Sequence, residues 1–425
     1  MKKGARKSKQ KEAVVEEQGS VRLVRVGEIE MDVRAEFREL IIAGGLRVAA
    51  ALFEDEMTQL CGPRYARGSQ WASRWGRQRR EFALGGRKVT IQAPRARRNG
   101  VEVVPALYAE LQREDALSER ALEQMLVGVS TRKYARSLEP INSSAEPSAM
   151  SKSAVSRRFV ARTEAQLEAV LAKPLGGTQW AALMVDGIGF HDHLILIALG
   201  IDVDGYKHLL GFRQGTTENA TVCRELLADL VGRGLPADRS ILVGIDGGKG
   251  LASAVVQVFG QHAVVQRCQV HKKRNVLDHL PERLRAKVSE ALSEAYAMPA
   301  YEAALAALEK VAADMEKQQP SAASSLREGM KQTLAVKKLG LTGRLAKTLE
   351  TTNPIENLNG GVRRVSGRVK RCRDGSMARR WVVTAALEAA KGFRRIKGHR
   401  DLPKLVAALK ARDAEFENAS VRRAV

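Results

Sequence analysis

Between Trp180 and His271 the chain alternates short apolar runs with turn signals, and this block limits the available folds more than any other stretch. Ala181–Val185, His193–Asp202, His208–Arg213, Ser240–Ile245 and Ala263–Cys268 have strand length and are largely apolar. Asp204-Gly205, between the second and third runs, signals a tight hairpin. Helical stretches at Glu218–Arg233 and Lys249–Phe259 separate the third, fourth and fifth. Three strands joined by short turns, then strand–helix–strand–helix–strand, predict a mixed sheet ending in parallel crossovers.

Ribonuclease-H-like nucleases and integrases have this order, and in it the first and fourth strands are neighbours. Asp186 closes the first run and Asp246 the fourth, so both carboxylates are expected at one sheet end. Paired like charges are costly unless a cation lies between them. Hard Mg²⁺ takes oxygen ligands, and two such ions polarise a phosphodiester and stabilise its leaving oxygen. Each Asp precedes a glycine, Gly187 or Gly247, so a plain turn role is the alternative. Gly187-Ile-Gly189 and Gly247-Gly-Lys249-Gly250 complete neither a dinucleotide loop nor a phosphate loop, and no nucleotide cofactor is expected. His191-Asp192-His193 reads as a turn.

A third carboxylate must come from far downstream. Lys272 to Leu349 reads as helix throughout, broken at Pro281, Pro299, Pro320 and Gly340. The next helix is predicted to start with Asn353 as N-cap, Pro354 in the first turn and Glu356 at the third position. Glu356 is either a capping-box glutamate or the missing ligand. Arg363 lies two turns on along the same face, and Arg364 and Arg368 extend a basic surface. Cys268 and His271 form half a zinc motif at most, and are read as structural or as lining the site.

With 71 Lys+Arg against 48 Asp+Glu, the net charge of +23 points to a polyanionic partner. No apolar run reaches the ~18–20 residues of a spanning helix. Four scattered cysteines fit a reduced, intracellular protein, and a cytoplasmic, nucleoid-associated location is expected. Residues 1–33 are charged and read as a mobile tail. Helical spacing from Ala35 to Leu60 is predicted to split at Gly44-Gly45. A β-hairpin is expected around Gly85-Gly86, with Arg77, Arg79, Arg80, Arg87 and Lys88 facing phosphate. Helices at Ser118–Val127, from Ser130 to Leu138, and from Ser151 or Ser153 to Leu171 have a helix-turn-helix layout. Lys152, Ser156, Arg157 and Arg158 would then meet DNA.

Asp186-Gly187, Leu199-Gly-Ile-Asp-Val-Asp-Gly205, Arg267-Cys-Gln-Val-His-Lys-Lys-Arg-Asn275 and Thr352-Asn-Pro-Ile-Glu-Asn-Leu-Asn359 resemble the Mutator-type transposases of bacterial insertion sequences. The resemblance spans about residues 34–410. It implies a multidomain α/β plus α chain, its ribonuclease-H-like sheet interrupted by an all-helical insertion. It implies an Asp-Asp-Glu triad at Asp186, Asp246 and Glu356 holding two Mg²⁺ or Mn²⁺ ions, with Cys268, His271 and Arg363 in support. The expected regions are a tail (1–33), N-terminal helices and basic hairpin (34–110), and a helix-turn-helix-like region (111–175). The catalytic core (176–271), the helical insertion (272–350) and the core completion with basic C-terminal helices (351–425) follow. The implied partners are double-stranded terminal inverted repeats, target DNA and a second copy of the chain, with no membrane. The implied activity cleaves element ends and joins 3′-OH ends to target DNA. A transposase-derived DNA-binding regulator and a host nuclease of the same fold are the competing readings. Gly360-Gly361 inside the Glu356 helix departs from good helix composition, at about 1 kcal/mol per glycine.

Overall fold

The computed structural model describes residues 12–17, 20–65, 71–84, 87–108, 116–138, 147–148, 150–215 and 219–424. The chain divides into two compact units, Met1–Arg162 and Thr163–Val425.

In the first unit, β1 (Glu12–Glu17) and β2 (Ser20–Arg25) pair antiparallel, and α1 (Val26–Cys61) follows directly. The described part of the segment expected to be a tail therefore has regular backbone. Helix α1 also runs through Gly44-Gly45 unbroken, against the predicted split. A Cβ at either glycine would meet nothing within 4 Å, so neither serves close packing. The helix continues because its C-terminal half is anchored: Met57 and Cys61 pack with Ala72 and Ala96 of the neighbouring sheet. Tertiary packing thus overrides the local glycine penalty.

Strands β3 (Ser73–Leu84) and β4 (Arg87–Arg98) form the predicted hairpin, pairing from Leu84↔Arg87 to Ser73↔Arg97 with a register shift between Arg74 and Arg77. Its tip, Gly85-Gly86, lies outside the described residues. Short strands β5 (Val101–Val103) and β6 (Pro147–Ser148) also pair with β4. Helix α2 (Ala116–Leu126) ends ahead of Gly128, whose φ of 96° only glycine adopts readily. The second helix expected from Ser130 to Leu138 is not α-helical: turns lead into a single 3-10 turn, Ala135–Ser137. The fully buried Tyr134 ring pins this segment as a turn, with Ala121, Leu138 and Val155 around it. Helix α3 (Lys152–Ala172) matches expectation, with the Ser151 hydroxyl accepting from Ala154 N at 3.2 Å.

The second unit is built on a mixed sheet. Its strands are β7 (Trp180–Phe190), β8 (His193–Asp202), β9 (Lys207–Gly215), β10 (Ile241–Ile245) and β11 (Ala263–Arg267), in spatial order β11-β10-β7-β8-β9. β7, β8 and β9 are antiparallel neighbours, whereas β10 lies parallel to both β7 and β11. The Asp204-Gly205 turn is present, with Gly205 at φ 86°. Helices α4 (Ala220–Gly232) and α5 (Lys249–Phe259) make the crossovers. Their residues Leu226, Leu230, Leu251 and Val255 share a core with Leu183, Val185, Leu196 and Val243 of the sheet. Side chains alternate along a strand, so Met184 and Asp186 belong to the opposite face.

From α6 (Gln269–Asp278) the chain is helical. Helices α7 (Glu282–Ala297), α8 (Tyr301–Glu316), α9 (Pro320–Arg327), α10 (Met330–Thr333), α11 (Ala335–Lys338) and α12 (Gly343–Leu349) follow in turn. Leu292, Leu308, Ala312, Leu326 and Leu334 give this insertion a core of its own. Two polar seams fix it to the sheet domain. The buried Gln266 and Gln269 amides both donate to Thr333 O, at 2.8 and 2.9 Å. Lys337 Nζ meets Glu350 Oε1 at 2.9 Å, with side chains only 7% and 6% exposed. Glu350 O in turn accepts from Gln269 N at 3.0 Å. Helices α13 (Asn353–Ser366), α14 (Gly375–Ala390) and α15 (Leu402–Ala424) complete the unit. Among the described residues no helix is long and apolar enough to cross a membrane.

Candidate active site

Asp186 does not close its strand as the sequence suggested. β7 continues to Phe190, and Asp186 sits in its interior opposite Ile197 of β8. The longer antiparallel partner β8 supplies hydrogen bonds past the apolar run, so Gly187 and Gly189 stay in the ladder. Asp246 does follow β10 immediately. The parallel register pairs Val243 with Leu183 and Gly244 with Met184, and continuing it sets Asp246 beside Asp186.

The Asp186 carboxylate accepts from Gly187 N at 2.9 Å and from Asn359 Nδ2 at 2.7 Å. Burial pushes its pKa up to about 6, and the nearby charge of Asp246 adds to the rise, with a smaller contribution from Glu356. Asp246 Oδ1 accepts from Gly248 N at 2.9 Å, closing a turn over Gly247. Gly247 has a φ of 114°, and a Cβ there would come within 2.6 Å of the Arg267 guanidinium. Glycine after Asp246 is therefore required twice, by backbone conformation and by space.

Glu356 is delivered by α13, which starts one residue earlier than predicted, at Asn353. Thr352 takes the capping position, but its hydroxyl caps no backbone N–H. It donates instead to Glu356 Oε1 at 2.6 Å. The capping-box geometry is thus replaced by a side-chain contact that orients the carboxylate. His271 Nδ1 lies 3.6 Å from the same oxygen. Thr352 N donates to Cys268 Sγ at 3.4 Å. Ligand atoms of Cys268, His271 and Glu356 all lie within 4.8 Å of one another. Burial alone would push the Cys268 thiol up, but hydrogen bonds from His271 and Thr352 outweigh it and bring the pKa below the ordinary value. The Cys268 bond holds His271 up in turn, with Glu356 and Asp246 adding to the rise. Cys268 and His271 thus form a hydrogen-bonded support behind Glu356.

A second layer fixes the Asp246 loop. Arg267 donates to Gly247 O at 3.0 Å and to Glu328 O at 3.1 Å. Lys272, only 1% exposed, donates to Ser325 O and Glu328 O, each at 2.7 Å. Burial pushes this lysine down to about 8. The α9–α10 turn of the insertion and the loop after Asp246 are therefore tied by one arginine.

Sequence reasoning singled out neither Thr352 nor Asn359 for a role. Asn359 is 1% exposed, one turn beyond Glu356, and its Oδ1 has no partner. A buried amide at that helical spacing from a carboxylate was the available signal. Arg363 and Arg364 lie exposed on the same helix, as does Arg368 beyond its end.

In the first unit the expected phosphate-facing residues separate into two groups. Arg77, Arg79, Lys88, Lys152, Ser156 and Arg157 are exposed. Arg87 is buried, and Arg80 is paired with Glu102 at 2.8 Å while lying over the Tyr108 ring. Lys88 pairs with Glu81 at 2.8 Å, and Arg158 donates to Ser118 Oγ at 3.1 Å. Arg80, Arg87 and Arg158 are therefore spent on holding the unit together, which the one-dimensional charge pattern does not reveal.

Residues 23–395 match the family described as Transposase, Mutator family. The chain is 31% identical over 263 residues to the transposase for insertion sequence element ISRM5 of Rhizobium meliloti, covering 61% of this chain and 64% of that protein. It is 28% identical to the transposase for insertion sequence element IS1081 of Mycobacterium tuberculosis, covering 74% and 76%. It is 27% identical to the transposase for insertion sequence element IS256 in transposon Tn4001 of Staphylococcus aureus, covering 69% and 75%. This chain belongs to the Mutator family of transposases.

Proposed function

We propose that this chain is an insertion-sequence transposase that cuts DNA at the element's ends and joins the freed 3′-OH to target DNA, with Asp186, Asp246 and Glu356 as its catalytic carboxylates. The observation that carries the reading is that all three carboxylates belong to one end of the sheet. Asp186 and Asp246 are set side by side by sheet register, and Glu356 is close enough to raise the Asp186 pKa. The strand order supports a ribonuclease-H-like core, with the antiparallel trio extended on the β7 side by two parallel strands.

The three carboxylates would supply the oxygen ligands that hard divalent cations prefer, with Cys268 and His271 beside Glu356 as its support, and the Asp186–Asp246 repulsion is a cost that a cation relieves. A bound pair of Mg²⁺ or Mn²⁺ ions supplies Lewis-acid polarisation of the phosphodiester and charge neutralisation at its leaving oxygen. The remaining roles belong to the chain itself. Asn359 holds one Asp186 oxygen, leaving the carboxylate fixed in direction. Thr352 and His271 hold Glu356 Oε1, and Cys268 fixes His271. Arg363, Arg364 and Arg368 offer positive charge to the DNA backbone beyond the carboxylates, and Arg77, Arg79, Lys152 and Arg157 offer it in the first unit. Handling two element ends fits a dimer or larger assembly.

The test is strand cleavage and strand transfer on duplex DNA carrying the element's ends, with Mg²⁺. Asp186→Asn and Glu356→Gln are each expected to lower cleavage by on the order of 10³-fold or more, with duplex affinity retained. Cleavage surviving in either variant overturns the assignment. Hydrolysis without any strand transfer in the unaltered protein points to a nuclease instead.

A further inference from the structure

Large aromatic side chains are normally covered, because each removes 150–250 Å² of surface from water. Two tryptophans of the first unit are not. Trp71 is 51% exposed and Trp75 is 53% exposed, and Tyr65 beside them is 97% exposed. Each indole carries an arginine on one side: the Arg98 guanidinium lies 4.6 Å from the Trp71 ring centre and that of Arg97 lies 4.5 Å from Trp75. A cleft of about 380 Å³ is lined by Tyr65, Trp71, Arg74, Arg97, Arg98 and Asn99, with no carboxylate among its described lining residues, and Trp75 adjoins it through its contact with Arg97. Arg74 is ion-paired to Glu54 at 2.7 Å. The strand irregularity between Arg74 and Arg77, with Gly76 at φ 75°, lies beside Trp75.

We infer that this cleft, with the adjoining Trp75, is a binding site for unpaired nucleotides, which stack on Trp71 in the cleft and on Trp75 beside it while Arg97 and Arg98 meet their phosphates. The chemistry separates this ligand from duplex DNA. A base within a duplex offers only its edges and its backbone, and its faces are covered by neighbours. An indole half exposed beside a guanidinium offers ring surface to solvent, which an unstacked base covers without regard to sequence. An arginine stacked on the ring keeps its in-plane N–H donors free for phosphate oxygens. A ligand that is anionic and carries flat apolar faces answers both features at once. The proposal rests on the reading of the chain as a DNA-processing enzyme, since cutting duplex ends creates unpaired strands. It concerns binding alone and leaves the carboxylate chemistry aside.

The experiment uses the full-length protein with a labelled oligothymidylate of roughly ten nucleotides and a blunt duplex as comparator. Oligothymidylate is expected to bind saturably and to quench indole emission. Trp71→Ala and Trp75→Ala should each weaken oligothymidylate binding by roughly 10-fold and change duplex binding by less than about twofold. Trp71→Phe and Trp75→Phe, with an aromatic face kept, should retain most of the affinity and report that the unit still folds. Equal losses for oligothymidylate and duplex overturn the inference, because the tryptophans would then be duplex contacts. Loss of self-association in sedimentation with unchanged oligothymidylate affinity also overturns it, in favour of a protein interface. Asp186→Asn should leave oligothymidylate binding intact, so failure of the catalytic assignment and failure of this site give different results.

Discussion

The arginine-rich hairpin of the first unit and the carboxylate end of the sheet in the second are both defined by charge, yet they hold their charges differently. Hairpin charges such as Lys88 and Glu81 sit in water, 48% and 53% exposed, and each can be removed without stranding the other. Charges around the carboxylates are buried and interlocked. The buried Arg267 and Lys272 both donate to the main-chain carbonyl of Glu328, and Lys337 and Glu350 form a pair almost closed to solvent. Solvent screens the first set, whereas the second has only its partners. The first arrangement suits a surface that meets a long polyanion, and the second suits a site whose parts must not move.

The comparison breaks first on stability. Lys337→Met should cost about 3–5 kcal/mol in denaturant unfolding, because it leaves the Glu350 carboxylate buried and alone. Lys88→Met should leave the unfolding midpoint nearly unchanged, since its partner is already hydrated. Similar costs at both sites would show that the two regions do not differ in kind.

Titration gives the next largest effect. The folded-state pKa of Asp186 is raised from 3.8 to about 6. Folding therefore keeps a proton that the unfolded chain releases. The associated stability is present in full below pH ~4, and it is lost as pH rises through about 6. The loss in metal-free protein is on the order of 3 kcal/mol. Chemical denaturation between pH 4 and pH 8 should show it, and Asp186→Asn should flatten that slope. Added Mg²⁺ should recover the stability above pH 6 but not below, because binding must first displace the proton.

The smallest effect lies within the helix that carries Glu356. Gly360 has open space where a Cβ would go, whereas a Cβ at Gly361 would come 2.7 Å from the Ala389 Cβ of α14. Gly360→Ala should stabilise by about 1 kcal/mol, and Gly361→Ala should destabilise by about 1–3 kcal/mol. Thermal midpoints moving in opposite directions confirm that only one of the two glycines is needed for helix contact.

Much of the sheet was legible because its strands are short, apolar and bounded by turn residues, so the five runs and the Asp204-Gly205 hairpin fall close to where pattern places them. Extent was less legible. Whether β7 stops at Asp186 or passes it depends on the partner strand β8, which a one-strand pattern does not include. Helix α1 and the segment after Gly128 failed for related reasons. In one, packing at Met57 and Cys61 carries a helix through two glycines; in the other, burial of Tyr134 favours a turn over a helix. In the site, Asp186, Asp246 and Glu356 were visible as residues, but the capping position was misplaced by one and Thr352 and Asn359 went unread. The ion pair of Arg80, the burial of Arg87 and the Ser118 contact of Arg158 were not legible, because sequence counts charges and not their neighbours.

The sequence by itself determined the strand order, the positions of the carboxylates and the family to which the chain belongs, because periodicity and turn chemistry are local and read along the chain. Only the tertiary structure decided how Glu356 returns to Asp186 across the helical insertion. That return depends on contacts between residues far apart in sequence: Lys337 with Glu350, Gln269 with Thr333, and Asn359 with Asp186. Such contacts form only when separated segments bury the same polar groups together, and no local pattern records which groups those will be.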